Sequence, residues 1–197
     1  MRNILLLFIK NPHPGYVKTR LARTVGDEEA LRIYHILLDK TRKAAQALQA
    51  ERWLYYSDFP DPDDNWPETD FLKKAQHGSD LGARMEAAFR EAFDAGAAKV
   101  VIIGSDCPEL SEEVLRAAFD HLDEKDFALG PTPDGGYYLL GMKQLESGIF
   151  HGIEWSTDSV RAKTLEQISL AGKTVAILPM LSDIDTEEDW RLYEKKH

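Results

Sequence analysis

The chain has 197 residues, of which 43% are hydrophobic and 29% charged, and 34 acidic against 24 basic side chains give a formal charge of -10 at pH 7. That length is most economically one domain with a sizeable core, and the acidic balance excludes a general nucleic-acid binder, which needs a basic face to displace counterions. Small anionic substrates stay admissible where basic residues gather locally. Cys107 is the single cysteine, so an intrachain disulfide is excluded and a reducing, cytoplasmic compartment is expected. The apolar run Ile4–Ile9 follows Arg2 but ends in Lys10 with no small-residue cleavage site, which makes it a strand and not a signal sequence. No apolar stretch approaches the roughly 18 residues of a membrane span.

Taken in order, Asn3 to Ile9 forms the first strand, and Asn11-Pro12-His13-Pro14-Gly15 stops it. A helical stretch opens at Lys18-Thr19-Arg20-Leu21, and Asp27 caps a longer helix running to about Ala50 with Leu31, Tyr34, Ile36, Leu37 and Leu38 on its apolar face. Arg52 to Tyr56 is a second strand. Ser57 to Asp70, rich in proline and acid, reads as a lid or a decorated edge. Lys73 to Gln76 is extended, Gly78-Ser79-Asp80 starts a helix with Leu81, Met85, Ala88 and Phe89 on one face, and Gly96 ends it.

Lys99 to Ile103 is a continuous β-branched run, the pattern of a central strand buried on both faces. Ser111 then caps a helix whose Glu112 and Glu113 complement its dipole. Asp126 to Leu129 is a short strand, Pro131 to Gly136 a sharp loop and Tyr137 to Met142 another strand. Thr157 begins a helix to Leu170, Gly172 ends it, Lys173 to Leu178 is the last strand and Thr186 starts a terminal helix. This alternation predicts a single α/β domain of three layers, α/β/α, with helices on both faces of a mostly parallel sheet.

Ligands in open α/β sheets collect outside the carboxyl ends of the strands. Asp106 stands there, just after Lys99–Ile103 and before Cys107-Pro108, and suits a metal ligand; a side-chain turn is its other reading. Asp183 and Asp185 follow the last strand, although Asp185 also suits the cap of the terminal helix. Magnesium takes one or two protein carboxylates and fills its shell with water and phosphate oxygens, so Asp106 with either partner suffices. The segment Pro12 to Arg20 joins a strand to a helix start and places Lys18 and Arg20 in one turn, which makes it the best phosphate cradle of the chain. It is neither the dinucleotide fingerprint nor the triphosphatase phosphate loop, because the required glycines are absent. Asp134-Gly135-Gly136-Tyr137 lets backbone approach a ligand closely, with a plain loop as the alternative. Without a neighbouring histidine to activate it, Cys107 reads as an inert buried thiol.

Phe8 to Leu21, Gln76 to Met85, Ile103 to Pro108, Gly130 to Tyr138, Trp155-Ser156-Thr157 and Asp183 to Thr186, taken together, resemble the bacterial glycosyltransferase-like proteins known as radical-SAM/selenodomain-associated transferases. That family is grouped with nucleotide-diphospho-sugar transferases of the glycosyltransferase-A fold, beside the guanylyltransferases of phospholactate and the molybdenum cofactor. The resemblance implies a nucleotide across the carboxyl ends of the first strands, with Lys18, Arg20 and Asp106 as the catalytic set. It implies further nucleotide contacts from Lys10, Pro14, Gly15, Gln76, Leu81, Gly82, Arg84 and Ser105, and acceptor contacts from Asp134, Gly135, Gly136, Tyr137, Trp155, Ser156 and Thr157. Asp106, Asp183 and Asp185 would hold Mg2+ or Mn2+.

Two features depart from the family pattern. The phosphate loop carries Pro12, Pro14 and one glycine where the usual loop is richer in glycine and has a serine, and the Asp-x-Asp pair is reduced to Asp106-Cys107-Pro108. The reaction expected is nucleotidyl transfer from a nucleoside triphosphate to a small phosphorylated acceptor. Glycosyl transfer from a nucleotide-sugar and a non-catalytic nucleotide sensor or scaffold are the alternatives.

Overall fold

The computed structural model describes residues 2–196. Seven strands among these form one sheet in the order β3-β2-β1-β4-β6-β5-β7, built from β1 (Asn3–Ile9), β2 (Glu51–Tyr56), β3 (Leu72–Ala75), β4 (Lys99–Ile103), β5 (Phe127–Pro131), β6 (Tyr137–Met142) and β7 (Val175–Ile177). The helices are α1 (Thr19–Val25), α2 (Asp27–Ala47), α3 (Leu81–Asp94), α4 (Glu112–Glu124), α5 (Val160–Leu170) and α6 (Glu187–Lys196), with a 3-10 turn at Ser147–Phe150. β1 pairs in parallel with β2 and β4, β2 with β3, and β5 with β7, whereas β6 pairs antiparallel with both β4 and β5. The amino end of β6 therefore meets the carboxyl ends of its neighbours, which brings Gly136 and Tyr137 to the edge where ligands collect.

The period of two along each strand sorts its side chains between two apolar layers. Leu5, Leu7 and Ile9 of β1, with Val101 and Ile103 of β4, pack beneath α2 and α4; Ile4, Leu6, Val100 and Ile102 pack against α3 and the 3-10 turn. A third cluster joins Leu21 of α1, Ile33 and Leu37 of α2, and Ile184, Trp190 and Tyr193 at the carboxyl end of the chain. This cluster brings the last segment of the chain beside the first loop. No helix among the described residues is long and apolar enough to cross a membrane.

Several boundaries differ from the sequence reading, each for a local reason. Asp80 and Ser111 cap α3 and α4 through their side chains as expected, but α2 begins after Gly26, whose φ of 86° is easy only for glycine, and Asp27 is its first helical residue. That helix stops at Ala47, short of Ala50. Thr157 does not start α5; it forms a turn in which its Oγ1 donates to the Glu154 carbonyl, and the helix begins at Val160 behind Ser159. The last strand contracts to Val175–Ile177. Residues 57–70 form a decorated edge: Trp66 and Phe71 are buried edge to face 4.8 Å apart, and Lys73 holds Asp64 at 2.7 Å.

Candidate active site

A cavity of about 680 Å3 opens at the carboxyl ends of β1 and β4 and the amino end of β6. Of the residues expected to form the site, Lys10, Lys18, Arg20, Gln76, Leu81, Arg84, Ser105, Asp106, Asp134, Gly136, Tyr137, Trp155, Ser156, Thr157, Asp183 and Asp185 all line it. Lys18 and Asp185, 167 positions apart in sequence, thus share one groove.

The joint between these distant segments is a backbone hydrogen bond: the Ile184 amide donates to the Asp106 carbonyl at 2.9 Å. It sets Asp183 and Asp185 against the turn that follows β4. Lys18 reaches the same place from the β1–α1 loop, its Nζ 2.6 Å from Asp106 Oδ1 and 3.4 Å from Asp185 Oδ1, with the side chain only 4% exposed. Arg20 approaches Asp185 at 3.5 Å from the solvent side. Lys18 and Ser156 are the non-glycine residues with positive φ among those described, and both line the cavity. A lysine at φ 48°, ψ 43° adopts a left-handed conformation that costs roughly 1–2 kcal/mol, and the ion pairs hold it there.

Burial, together with the neighbouring Asp106 and Asp185 carboxylates, outweighs the attraction of Lys18 and raises the Asp183 carboxyl to about 7. Asp185 does not cap α6. Thr186 and Asp189 cap it reciprocally, the Asp189 amide donating to Thr186 Oγ1 and the Thr186 amide to Asp189 Oδ2, which leaves the Asp185 carboxylate facing the groove. Burial pushes the Cys107 thiol up to about 12, so it remains protonated and inert at neutral pH.

Four of the expected residues lie outside the lining. Pro14 and Gly15 sit in an exposed turn, where φ of 77° explains the glycine. Gly82 gives room to Trp155, since a Cβ there would stand 2.4 Å from the indole nitrogen. Gly135 takes φ of 88°, and a Cβ there would meet the Asp158 carbonyl at 2.0 Å. Gln76 lines the groove, but its amide donates to the Ile9 and Tyr55 carbonyls at 3.1 Å each, clamping the ends of β1 and β2. Asp134 is satisfied within its own turn, accepting from Thr132 Oγ1 at 2.5 Å and the Gly136 amide at 3.1 Å.

The sequence reading did not identify Tyr34 as a site residue. It takes part in the apolar face of α2, yet its hydroxyl donates to the Lys10 carbonyl, accepts from the Lys10 amide and lies 3.3 Å from Ser105 Oγ. The need of a buried tyrosine hydroxyl for a partner is the signal that identifies it. Ser57, Thr132 and Asp158 also line the groove, and no local pattern marks them.

The carboxylate set is chemically suited to a hard divalent cation, which takes oxygen ligands. Among the described residues no three His, Cys, Asp or Glu side chains stand close enough to enclose a metal on their own. The fit is therefore to an ion that uses one or two carboxylates and completes its shell from water and ligand oxygens.

Residues 39–157 match the family model described as "Uncharacterized protein conserved in bacteria (DUF2064)". A crystal structure from Desulfovibrio desulfuricans G20, provisionally described as a nucleotide-diphospho-sugar transferase, is 34% identical with a TM-score of 0.91, the match covering 100% of this chain and 88% of that one. The fold is shared with 2-C-methyl-D-erythritol 4-phosphate cytidylyltransferase from Thermus thermophilus, at 15% identity and TM-score 0.58 over 100% of this chain and 98% of that one. It is shared also with Rv0371c of Mycobacterium tuberculosis H37Rv in complex with manganese, at 14% identity and TM-score 0.58 over 100% of both chains. No curated protein matches the chain, and none of the similarities bears on a radical-SAM association. A match over most of the sequence, joined to 34% identity along the whole length of this chain, places it in the DUF2064 family and among the transferases of the nucleotide-diphospho-sugar fold.

Proposed function

We propose that the protein is a divalent-cation-dependent nucleotidyltransferase that moves a nucleoside monophosphate from a nucleoside triphosphate to a small phosphorylated acceptor. One observation carries this reading: Lys18 and Arg20 converge with Asp106, Asp183 and Asp185 at the carboxyl end of the sheet. The groove also holds Lys10 and Arg84, and with them Asp134 and Asp158, so both signs of charge line it; cations for the phosphate oxygens and carboxylates for a divalent ion together support a metal-bound anionic ligand. The cytidylyltransferase that shares the fold supports the same reaction class.

In the proposed reaction an oxygen of the acceptor phosphate forms a bond to the α-phosphorus, the bond from that phosphorus to the bridging oxygen breaks, and pyrophosphate leaves with the electron pair. An ionised phosphate needs no general base. The work of the protein is alignment and stabilisation of charge at fixed positions. Lys18 and Arg20 would neutralise the phosphate oxygens, and the Ser105 and Tyr34 hydroxyls fix the chain ends that frame them. Asp106 with Asp183 or Asp185 would hold magnesium or manganese, which supplies further charge neutralisation when bound.

Product analysis tests this reading. The four nucleoside triphosphates, each with magnesium and a panel of sugar phosphates, should yield pyrophosphate and a nucleoside-diphospho product. Release of a nucleoside diphosphate from a nucleotide-sugar would identify a glycosyltransferase instead. Stabilisation by nucleotides with no turnover of either donor class over the panel would indicate a sensor or scaffold.

A further inference from the structure

We infer that Lys18 is a built-in counter-ion that holds Asp106 and Asp185 together in the free protein, so that a divalent cation bridging this pair must displace the ammonium and binds tightly only when nucleotide phosphates draw it away. The inference rests on the proposed nucleotidyl-transfer reading and adds an order of binding to it.

The geometry sets up a competition. Lys18 Nζ lies 2.6 Å from Asp106 Oδ1 and 3.4 Å from Asp185 Oδ1, within the space where two carboxylates could share a cation. An ion accepted by both oxygens must displace it. Its side chain is nearly inaccessible to water, so displacement without a new partner strands a buried charge, which is strongly unfavourable. Arg20 differs, because its guanidinium reaches Asp185 from solvent and can withdraw into water. Phosphate oxygens supply the missing partner for Lys18, through charge-assisted hydrogen bonds like those it gives up. The left-handed backbone at Lys18 makes the loop a candidate to relax when the ion pairs are released. Cation and nucleotide then each tighten the binding of the other, as coupling between sites requires.

The test is Mn2+ binding to the full chain without nucleotide, followed by electron paramagnetic resonance of the free ion. Lys18→Met should bind Mn2+ at least about tenfold more tightly than the native protein, since the competing buried charge is gone. Arg20→Met, which removes an exposed charge from the same carboxylate, should gain no more than about threefold. Equal affinity in the native protein and Lys18→Met, or equal gains in the two variants, would overturn the inference. A measurement on the native protein guards against a variant that does not fold. Acetylation of Lys18, read by peptide mass spectrometry, should rise severalfold at saturating Mn2+ alone. Unchanged protection of Lys18 at saturation would show that the ion binds without displacing it. The outcome against the reading beneath is distinct: if Mn2+ and the four nucleoside triphosphates, alone or together, leave the melting temperature of the native protein unmoved, the nucleotidyltransferase assignment itself fails.

Discussion

The two walls of the groove are built on opposite principles. On the β1–β4 side, charged groups are held in opposition: a buried ammonium between two carboxylates, and a third carboxyl raised to about 7 by burial and its neighbours. On the β5–β6 side, the polar groups of the connecting loop are satisfied within the loop and from the start of α5. Asp134 accepts from Thr132 and Gly136, while Arg161 donates its side chain to the Thr132 carbonyl and its amide to the Gly135 carbonyl. The first wall has interactions that a ligand can exchange for its own; the second has a fixed shape. Such a division suits a site where one reactant brings charge and the other must be positioned.

Breaking the charged wall should give the largest effect. Asp106→Asn keeps the shape but removes the carboxylate that pairs with Lys18. Transfer should fall about 1000-fold, the scale seen when a fixed electrostatic contact to the reacting centre is lost, and magnesium should no longer increase the thermal stabilisation given by a nucleoside triphosphate. Retention of pyrophosphate release at the native rate would remove Asp106 from the reaction. The shaped wall breaks by overpacking. In Gly135→Ala the new methyl would stand 2.0 Å from the Asp158 carbonyl at φ of 88°, and the variant should lose about 3 kcal/mol in denaturant melts, from left-handed strain added to overpacking. Gly152→Ala has positive φ but open space around it and should lose only about 1 kcal/mol, which separates the clash from the backbone term.

The same contrast governs what the sequence made legible. Apolar runs bounded by turn residues located the strands, because burial leaves a continuous signature in Lys99–Ile103 and Asn3–Ile9. The position of Asp106 followed from topology, and its pairing with Asp183 or Asp185 was expected from carboxylates that follow a strand of the same sheet and from the one or two that magnesium takes; the structure brings all three near one another. The reversed direction of β6 has no signature in its side chains, since it is buried like its parallel neighbours. Its signal lay in the connection from β5, because residues 132–136 are too few for a parallel crossover, which needs about a dozen or more. The inward turn of Lys18 was illegible, for it depends on a left-handed residue that no propensity favours in lysine. Gly135 suits close approach to a ligand or a plain loop, and Gly82 is a nucleotide contact only by resemblance, whereas their neighbours are the Asp158 carbonyl and Trp155; sequence alone does not distinguish close approach to a ligand from close approach to the protein itself.

Asp183 sharpens the comparison through pH. Its carboxyl titrates near 7 in the folded chain against an ordinary value of 3.8. Between those values the native state keeps a proton that the unfolded state has released, so its contribution to stability is complete below about pH 4 and is lost as pH rises through 7. Asp183→Asn removes this dependence. The variant should match the native protein to within about 0.5 kcal/mol at about pH 4 and exceed it by on the order of 4 kcal/mol at about pH 8, a difference set by the like-charge crowding and burial of the carboxylate. Thermal melts at the two pH values check it, and an advantage present only on the acid side would contradict the crowded-carboxylate picture.

The smallest expected effect comes from the second left-handed residue. Ser156, at φ of 67°, stands between Trp155 and Thr157 in the shaped wall, and no ion pair holds its side chain as Lys18 is held. Ser156→Gly removes the penalty of a side chain at positive φ but adds chain entropy to the unfolded state, two terms of similar size and opposite sign. The net change should stay within about 0.5 kcal/mol. If the wall acts through shape alone, acceptor KM should then stay within about twofold of native, because the loop keeps its conformation at this lower backbone strain. A large rise in acceptor KM with unchanged stability would mean that the Ser156 hydroxyl touches the acceptor, and that the second wall recognises its ligand through more than shape.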